Sequence, residues 1–328
     1  MPANLPPDYF AAEKEYRAAK TIPEKIRALE EMLAIMPKHK GTDKLQADLK
    51  RRISRLKMEA RRKPATKRGY TYYVKKEGAA QVFLIGAPNT GKSKLLTQLT
   101  SATPEVADYP FTTRKPLPGM MKFENIQIQL VDAPPISNEH RVAWLPGIIR
   151  NADAILLVVD LSKEDLLEQV EAVAEELEKS RIKFIGKQPE KDSDEPMFQL
   201  RTLIVGNKSD YPEAEENFKV LKEMYSNKFS LIDISARDST NLDELKREVF
   251  NLLNIIRVYT KSPGKKPDYN DPVILNKGET LADFAVAIHK DFAAKLKYAR
   301  IWGTNKYAGQ KIQRDHILED GDVVELRI

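Results

Sequence analysis

An eight-residue run between a predicted strand and a predicted helix has the residue types and spacing that bind phosphate. The apolar strand Val82–Ile85 leads into Gly86–Ser93, whose letters GAPNTGKS fit the pattern G-x-x-x-x-G-K-[ST]. Its glycines let main-chain N–H groups face phosphate oxygens, and the helix N-terminus that follows favours negative charge. This run predicts a nucleoside triphosphate and leaves the base open. The residues expected to contact the phosphates are Gly86, Ala87, Pro88, Asn89, Thr90, Gly91, Lys92, Ser93 and Lys94.

A second group of polar residues follows two later strands and can recognise a guanine base. The Asp210 carboxylate, in the sequence NKSD, can accept hydrogen bonds from N1–H and the exocyclic amine of guanine. Adenine does not offer this pair of donors, which disfavours the alternative of an ATP-dependent P-loop enzyme. The stem of Lys208 can lie over the base, and the N–H of Ala236 can meet guanine O6. The predicted base-contacting residues are Asn207, Lys208, Asp210, Ser235, Ala236 and Arg237.

Three oxygen-bearing side chains are candidate Mg²⁺ ligands. We expect the Ser93 hydroxyl to bind the ion directly and Asp132, which ends an apolar strand, to bind it through a water. The loop YPFTT contains two threonines, Thr112 and Thr113, and we expect Thr113 to complete the shell and to contact the γ-phosphate. Lys92, which supplies a point charge to the β- and γ-phosphates, and Thr113 are therefore the predicted catalytic residues.

The elements that must position these residues alternate between strands and helices, which predicts an open α/β sheet. The polar segment 179–199 predicts a short insertion or loop. The predicted strands are Val82–Ile85, Met121–Phe123, Ile126–Val131, Ala154–Val159, Leu203–Val205 and Leu231–Ile234, and the predicted helices are Lys92–Leu99, Lys163–Glu178, Ala214–Ser226 and Leu242–Leu253.

The flanking segments have different patterns. Before the sheet, apolar residues at three- and four-residue spacing predict helices that form an α-helical hairpin or small bundle. These helices are Glu13–Ala19, Ile22–Met36 and Asp43–Arg62. After the sheet we predict strands at Pro272–Leu275, Tyr298–Trp302 and Val323–Ile328 and a helix at Leu281–Ala294. The predicted division is a helical arm with linker at 1–78, a P-loop domain at 79–256 and a small β-rich domain at 257–328.

Composition and charge narrow the class of protein. The 328 residues contain no cysteine, which excludes disulfides and zinc–thiolate sites. No apolar stretch reaches membrane-spanning length and the N-terminal residues MPANLPPDYFAAEKEY lack the layout of a signal peptide, so we expect a soluble, cytoplasmic protein without a membrane partner. Between residues 40 and 76 there are 14 Lys or Arg and 3 acids. This block predicts either contact with a polyanion such as RNA or a solvated helix face.

Together, the motifs resemble those of a known family. GAPNTGKS, YPFTTRKPLPG, NKSD and SA resemble the Obg-related GTPases of the translation-factor class. The run YARIWGTNKYAGQKIQRDHILEDGDVVELRI is similar to the TGS domain, a small β-grasp-like module, of the developmentally regulated GTP-binding protein family. KHKGTDKLQADLKRRISRLK resembles that family's helical segment.

The resemblance implies a fold and a function. The fold would be a Ras-like P-loop NTPase domain with a mostly parallel sheet, preceded by the helical hairpin and followed by a TGS domain. The function would be hydrolysis of GTP to GDP and phosphate as a molecular switch on ribosomes or RNA, through the basic N-terminal arm and the TGS domain. An unidentified protein regulator is a further expected partner.

Two residues near the γ-phosphate differ from those that other GTPases have there. Where the family has Asp-x-Pro-Gly, this chain has Asp132-Ala133-Pro134-Pro135, and proline has no N–H to donate to the phosphate. Ile136 stands where many small GTPases have a glutamine that orients water. We therefore expect γ-phosphate sensing that is weakened or rerouted, and slow hydrolysis. Close by, the residues Glu139, His140 and Arg141 either substitute for that glutamine or are solvated loop residues.

Further interpretations stay open on sequence alone. Asn89 resembles the residue that binds K⁺ in cation-activated relatives, or it is a turn-forming asparagine. Between Asp132 and Asn207 there is room only for a short extension, whereas larger family members carry an inserted domain. The alternative to a switch is a ribosome- or RNA-binding adaptor that holds guanine nucleotide with little or no turnover.

Overall fold

The computed structural model describes residues 6–19, 22–37, 42–61, 73–101, 115–136, 142–186, 197–303 and 306–327. The chain divides into two compact units, Met1–Tyr70 and Thr71–Ile328. The predicted three-part division is finer than these units and stays a prediction. Among the described residues, no helix combines the length and the apolar character that crossing a membrane requires.

The first unit is helical, as predicted. It contains α1 (Pro7–Ala18), α2 (Ile22–Ile35) and α3 (Asp43–Arg61). All three helices contribute to one apolar cluster, because their apolar residues recur at helical spacing and share a face. Members of this cluster are Tyr9, Leu29, Met32, Leu49 and Ile53. Burial raises the pKa of the Tyr9 hydroxyl.

The second unit contains a seven-stranded sheet that is parallel except for one antiparallel pair. Its strands are β1 (Gln81–Ile85), β2 (Leu117–Phe123), β3 (Ile126–Asp132), β4 (Ala154–Asp160), β5 (Ile182–Ile185), β6 (Phe198–Asn207) and β7 (Ser230–Ile234). The order is β2-β3-β1-β4-β6-β5, and β7 pairs with the second half of β6, beyond the part that pairs with β5. The antiparallel pair is β2 with β3. This arrangement confirms the predicted P-loop fold class.

Helices cover both faces of this sheet. They are α4 (Lys92–Leu99), α5 (Leu145–Ile149), α6 (Leu166–Glu178), α7 (Ala214–Tyr225) and α8 (Leu242–Leu253). Alternate residues of β1 enter two different apolar clusters: Phe83 and Ile85 pack with α5, α6 and α7, whereas Val82 and Leu84 pack with α4 and α8. Because both faces are buried, the strands read as continuous apolar runs.

The structure corrects two predictions for this sheet. The segment 179–199, predicted as an insertion or loop, contains β5 and the beginning of β6, and only 187–196 lies outside the described residues. The sequence IKFI is too short and too charged to stand out, yet Ile182 and Phe184 are buried against α6 and its neighbours. Helix α5, a single short turn with Pro146 in it, was not predicted either.

A second, five-stranded sheet forms the C-terminal part of the same unit. Its strands are β8 (Ile255–Thr260), β9 (Val273–Asn276), β10 (Tyr298–Trp302), β11 (Gln310–Ile312) and β12 (Val323–Arg327), in the order β11-β10-β12-β8-β9. Strands β8 and β11 were missed by the sequence analysis, and β8 begins two residues before the predicted boundary at 257. The sheet encloses its own apolar core around Leu281 and Phe284.

One predicted helix of this C-terminal part is two helices. The chain forms α9 (Leu281–Ile288) and α10 (Lys290–Lys295), because His289 between them has extended backbone angles. Helix α9 begins with a capping box in which Thr280 and Asp283 exchange hydrogen bonds. The main-chain N–H of Thr280 lowers the pKa of the Asp283 carboxyl.

The turn between β2 and β3 contacts the C-terminal sheet. Arg257 of β8 donates to the carboxylates of Asp320 and Glu124, and both carboxylates raise the pKa of its guanidinium. The Asn125 amide, next to Glu124, donates to the Tyr259 hydroxyl at 2.8 Å. A hairpin that ends at the predicted Mg²⁺ residue Asp132 is therefore held at its other end by the C-terminal sheet.

Candidate nucleotide-binding site

The phosphate-binding loop follows β1 and requires its two glycines. Gly86 and Gly91 have φ angles of 154° and 91°, a region that side chains with a Cβ rarely adopt. A Cβ on Gly86 would lie 2.3 Å from the Val158 carbonyl oxygen, and one on Gly91 would lie 2.3 Å from the Asn207 side-chain nitrogen. At these two positions the loop therefore packs too closely against β4 and β6 for any residue larger than glycine.

Lys92 lies inside this loop and is only 6% exposed. Its Nζ donates to the carbonyl oxygens of Gly86 and Ala87, at 3.0 and 2.7 Å, and to the Thr90 hydroxyl at 3.2 Å. The loop thus concentrates positive charge at the sheet edge, next to the N-terminus of α4. Such a site favours phosphate oxygens.

The remaining loop residues lie further out. Pro88 and Asn89 are exposed, and Lys94 is exposed in the first turn of α4. Asn89 has a φ of 64°, a left-handed conformation that asparagine tolerates better than most residues. This geometry agrees with a turn-forming role, and the K⁺ interpretation of Asn89 stays a prediction.

The predicted Mg²⁺ residues Ser93 and Asp132 lie together. Strand β3 is parallel to β1 and ends beside it, and the Ser93 hydroxyl donates to the Asp132 carboxylate at 2.5 Å. A hydroxyl and a carboxylate at the phosphate end of a P-loop fit the oxygen ligands that Mg²⁺ prefers. Elsewhere among the described residues there is no cluster of three or more His, Cys, Asp or Glu that could hold a metal. Thr112 and Thr113 lie outside the described residues.

Asn207 joins the phosphate loop to the base-recognition residues. It ends β6, and its side-chain amide donates to the Thr90 carbonyl oxygen at 2.8 Å. Its side-chain oxygen accepts from the Ala236 N–H, which follows β7, at 3.0 Å. The N–H that we expected to meet guanine O6 is thus engaged by Asn207, so a bond to O6 must share or replace this one.

Asp210 is held on the β7 side of the site. The Ser235 hydroxyl donates to one carboxylate oxygen at 2.7 Å, and the exposed Arg237 guanidinium lies 3.7 Å from the other. The same serine hydroxyl accepts from the Asp238 N–H at 3.0 Å. Ser235 therefore fixes the carboxylate that the sequence analysis assigned to the guanine edge.

The sequence analysis missed Asp160, the last residue of β4. It is 3% exposed and accepts from the Lys208 ammonium at 2.5 Å. The signal that could have found it is an acid at the end of a fully apolar strand, AILLVVD, because the carboxyl ends of parallel strands meet at one edge of the sheet. Lys208 itself has a φ of 70°.

Near the γ-phosphate position, the residues after β3 offer little to a nucleotide. Pro135 has no N–H. The Ile136 N–H donates to the Gly86 carbonyl oxygen at 3.1 Å, and its side chain is 5% exposed in an apolar cluster with Leu145. Ile136 therefore packs into the protein core. The candidate substitutes Glu139, His140 and Arg141 lie outside the described residues.

Comparisons with known proteins match both parts of the second unit. A family described as "50S ribosome-binding GTPase" matches residues 81–188, and one described as "TGS domain" matches residues 256–328. An uncharacterized GTP-binding protein of Methanocaldococcus jannaschii is 31% identical over 94% of this chain and 93% of its own length. Developmentally-regulated G-protein 1 of Arabidopsis thaliana is 30% identical, with 92% and 90% covered.

Two further proteins are similar at lower identity. Developmentally-regulated GTP-binding protein 2 of Homo sapiens is 29% identical over 92% of this chain and 98% of its own length. A solved structure of SsGBP in complex with GDP is 20% identical, with a TM-score of 0.40 over 74% of this chain and 71% of that one.

Proposed function

Because this chain belongs to the family of developmentally regulated GTP-binding proteins, we propose that it hydrolyses GTP to GDP and phosphate as a molecular switch. The observation that carries the proposal is the Asn207 side chain, which bonds both to Thr90 of the phosphate loop and to Ala236 beside the base residues. These two bonds support a single site, at the carboxyl edge of the sheet, for both the triphosphate and the guanine base.

Each group in this site has a defined role. Lys92 neutralises charge on the β- and γ-phosphates, and Asp210 accepts from the guanine edge. Ser93, Thr113 and, through a water, Asp132 would hold Mg²⁺, which would neutralise charge that develops on the phosphate oxygens. The proposed contact of Thr113 with the γ-phosphate would be lost when GTP is hydrolysed, which is how the nucleotide would act as a switch.

Base specificity tests this assignment. Replacing Asp210→Asn exchanges an acceptor for a group that matches the xanthine edge, so preference moves from GTP to XTP by about 100-fold. Competition between the two nucleotides for the full chain measures the shift. Asp238→Asn, which changes an exposed acid two residues beyond Ala236, is the matched control and leaves preference unchanged. An unaltered preference in D210N contradicts guanine recognition by Asp210.

The partner is a ribosome or another RNA-containing complex. The family description of residues 81–188 supports this, as does the basic helix α3, in which Lys50 and Arg51 are exposed. A polyanion contact loses affinity as salt rises. Co-sedimentation of the full chain with ribosomes, comparing GDP with a non-hydrolysable GTP analogue, tests it. Equal sedimentation in both nucleotide forms contradicts a switch. A cytoplasmic location and an unidentified protein regulator stay predictions.

The second candidate is an adaptor that holds guanine nucleotide with little or no turnover. Two observations favour it: Pro135 lacks an N–H, and Ile136 is buried in the core. A single-turnover assay with and without ribosomes and K⁺ separates the two functions. Phosphate release that rises with either addition supports the switch, and release absent under all conditions supports the adaptor.

A further inference from the structure

Two side chains of the NKSD segment leave the loop in opposite directions. Lys208 reaches back across the sheet edge to Asp160 at the end of β4, whereas Asp210 bonds to Ser235 at the end of β7. Strand β6 lies between these two strands, and the register places Asp160 beside Asn207 and Asn207 beside Ile234. The two side chains therefore bound the base position from its two sides.

The carboxylate that receives Lys208 is itself tightly held. One oxygen of Asp160 accepts the ammonium at 2.5 Å, and the other accepts from the main-chain N–H and hydroxyl of Ser162, at 3.0 and 2.6 Å. The main-chain N–H of Asp160 donates to the buried Gln169 side chain at 3.0 Å. With both oxygens bonded, the carboxylate has one orientation, and that orientation fixes the far end of Lys208.

We propose that Asp160 is a positioning residue for guanine-nucleotide binding: it anchors the Lys208 ammonium so that the lysine stem forms one wall of the base pocket. This inference rests on the proposed guanine site. Without the anchor, a flexible lysine must lose rotamer freedom each time the base binds. A pre-positioned stem removes that cost. The pairing also keeps the ammonium at β4 and away from the phosphates, whose charge would otherwise attract it.

A stem that lies along the face of a base contributes equally to any purine with the same ring. Inosine diphosphate lacks the exocyclic amine that Asp210 is expected to bind but keeps the ring system. Loss of the wall formed by Lys208 therefore weakens the binding of GDP and of inosine diphosphate by the same factor. A disturbance that reached Asp210 would instead weaken GDP more than inosine diphosphate. The ratio of the two affinities separates positioning of Lys208 from general disruption of the loop.

The test is displacement of fluorescent GDP from the full chain by GDP and by inosine diphosphate. For Asp160→Asn, a shape-conserving change, we expect the binding of both nucleotides to weaken up to about tenfold, the cost of ordering one long side chain each time the base binds. Lys208→Met keeps the stem and loses the anchor, so it should lose a similar factor. The double variant should lose no more than Lys208→Met alone, because both changes remove the same interaction.

Asp322 provides a matched control. It is also buried and also accepts a lysine ammonium at 2.5 Å, from Lys306, but it lies directly before β12 of the C-terminal sheet. Asp322→Asn should lower the melting temperature as Asp160→Asn does and leave both nucleotide affinities unchanged. A thermal shift without a change in affinity for Asp160→Asn would mean a purely structural role and overturn the inference.

Two other results would also overturn it: losses that multiply in the double variant, or a GDP loss larger than the inosine diphosphate loss. Failure of the proposed function looks different. If the unmodified chain binds neither nucleotide, the guanine site and this inference fail together. If it binds both but never releases phosphate from GTP, hydrolysis fails while the role of Asp160 is still measured.

Discussion

The base end and the γ-phosphate end of the proposed nucleotide site are built in different ways. At the base end, Asn207, Asp210 and Asp160 bond to groups from three other elements, so side chains lock the loops to one another. At the γ-phosphate end, Pro135 has no N–H and the Ile136 N–H is occupied by the phosphate loop. Under the proposed function, guanine binding and sensing of the third phosphate therefore depend on different residues.

The substitution that should weaken nucleotide affinity most disrupts the contact between the phosphate loop and Asn207. Gly91→Ala places a methyl group 2.3 Å from the Asn207 amide at a φ of 91°. Backbone strain and loss of the Asn207 bond together should weaken GTP and GDP about 100-fold, equally for both. Equilibrium binding of each nucleotide measures this.

Gly264→Ala is the control for strain alone. Gly264 also has a positive φ, 75°, but an added Cβ would meet nothing within 4 Å. Its substitution should leave both affinities unchanged. If Gly91→Ala behaved like this control, the base end would not depend on its contact with the phosphate loop.

The next effect concerns the buried Ile136. Many small GTPases have a glutamine at this position that orients the attacking water. We expect that introducing it here, as Ile136→Gln, does not speed hydrolysis. The side chain packs in the core beside Leu145, so a glutamine amide there costs about 2 kcal/mol of folding free energy. Thermal unfolding should shift downward while the single-turnover rate stays flat. A faster rate would mean that the segment after β3 turns towards the nucleotide.

A smaller change, in the rate of GTP hydrolysis, tests whether Asn89 holds K⁺ at the phosphate end of the site. If Asn89 holds K⁺ beside the phosphates, replacing Na⁺ with K⁺ should speed GTP hydrolysis about tenfold, because the ion adds positive charge where negative charge develops. Asn89→Ala should remove the difference between the two salts and keep GDP binding. Equal turnover in both salts would leave Asn89 as a turn residue, which its φ of 64° also suits.

The weakest predicted effect comes from giving the γ-phosphate end an N–H donor at position 135. Pro135→Ala adds one N–H near the γ-phosphate position, and a single charged hydrogen bond partly offset by lost rigidity should raise the GTP-to-GDP affinity ratio about fivefold. Pro135→Gly adds the same N–H together with more backbone freedom. A rise in the glycine variant alone would point to flexibility, and no change in either would contradict weakened sensing through this residue.

What could be predicted from the sequence depended on whether the interacting residues are close together in the chain. The phosphate loop and NKSD could be proposed as binding segments from the sequence because residue type and local spacing determine what they can bind. Asp160 was not, since its partner Lys208 is brought near only by the order of the strands. The engagement of the Ala236 N–H by Asn207 has the same origin.

Secondary structure followed the same rule. Strands with long apolar runs, such as Ala154–Asp160, were predicted to within a residue or two. Strand β5 was missed because four residues at a sheet edge carry little periodic signal and gain their stability from pairing with β6. The break at His289 was missed because the flanking residues on both sides form helix.

The ion pair between Arg257 and Glu124 attaches one end of the β2–β3 hairpin to the C-terminal sheet. Asp132, at the nucleotide edge, and the turn at Glu124 lie at opposite ends of seven residues of strand, about 20 Å apart at the usual rise per residue. Hydrogen-bonded strands slide or tilt far more readily than they stretch. If Asp132 holds Mg²⁺ as proposed, a partner that binds the C-terminal sheet and tilts this hairpin would change the geometry at Asp132, and the bound nucleotide would in turn change the affinity for that partner.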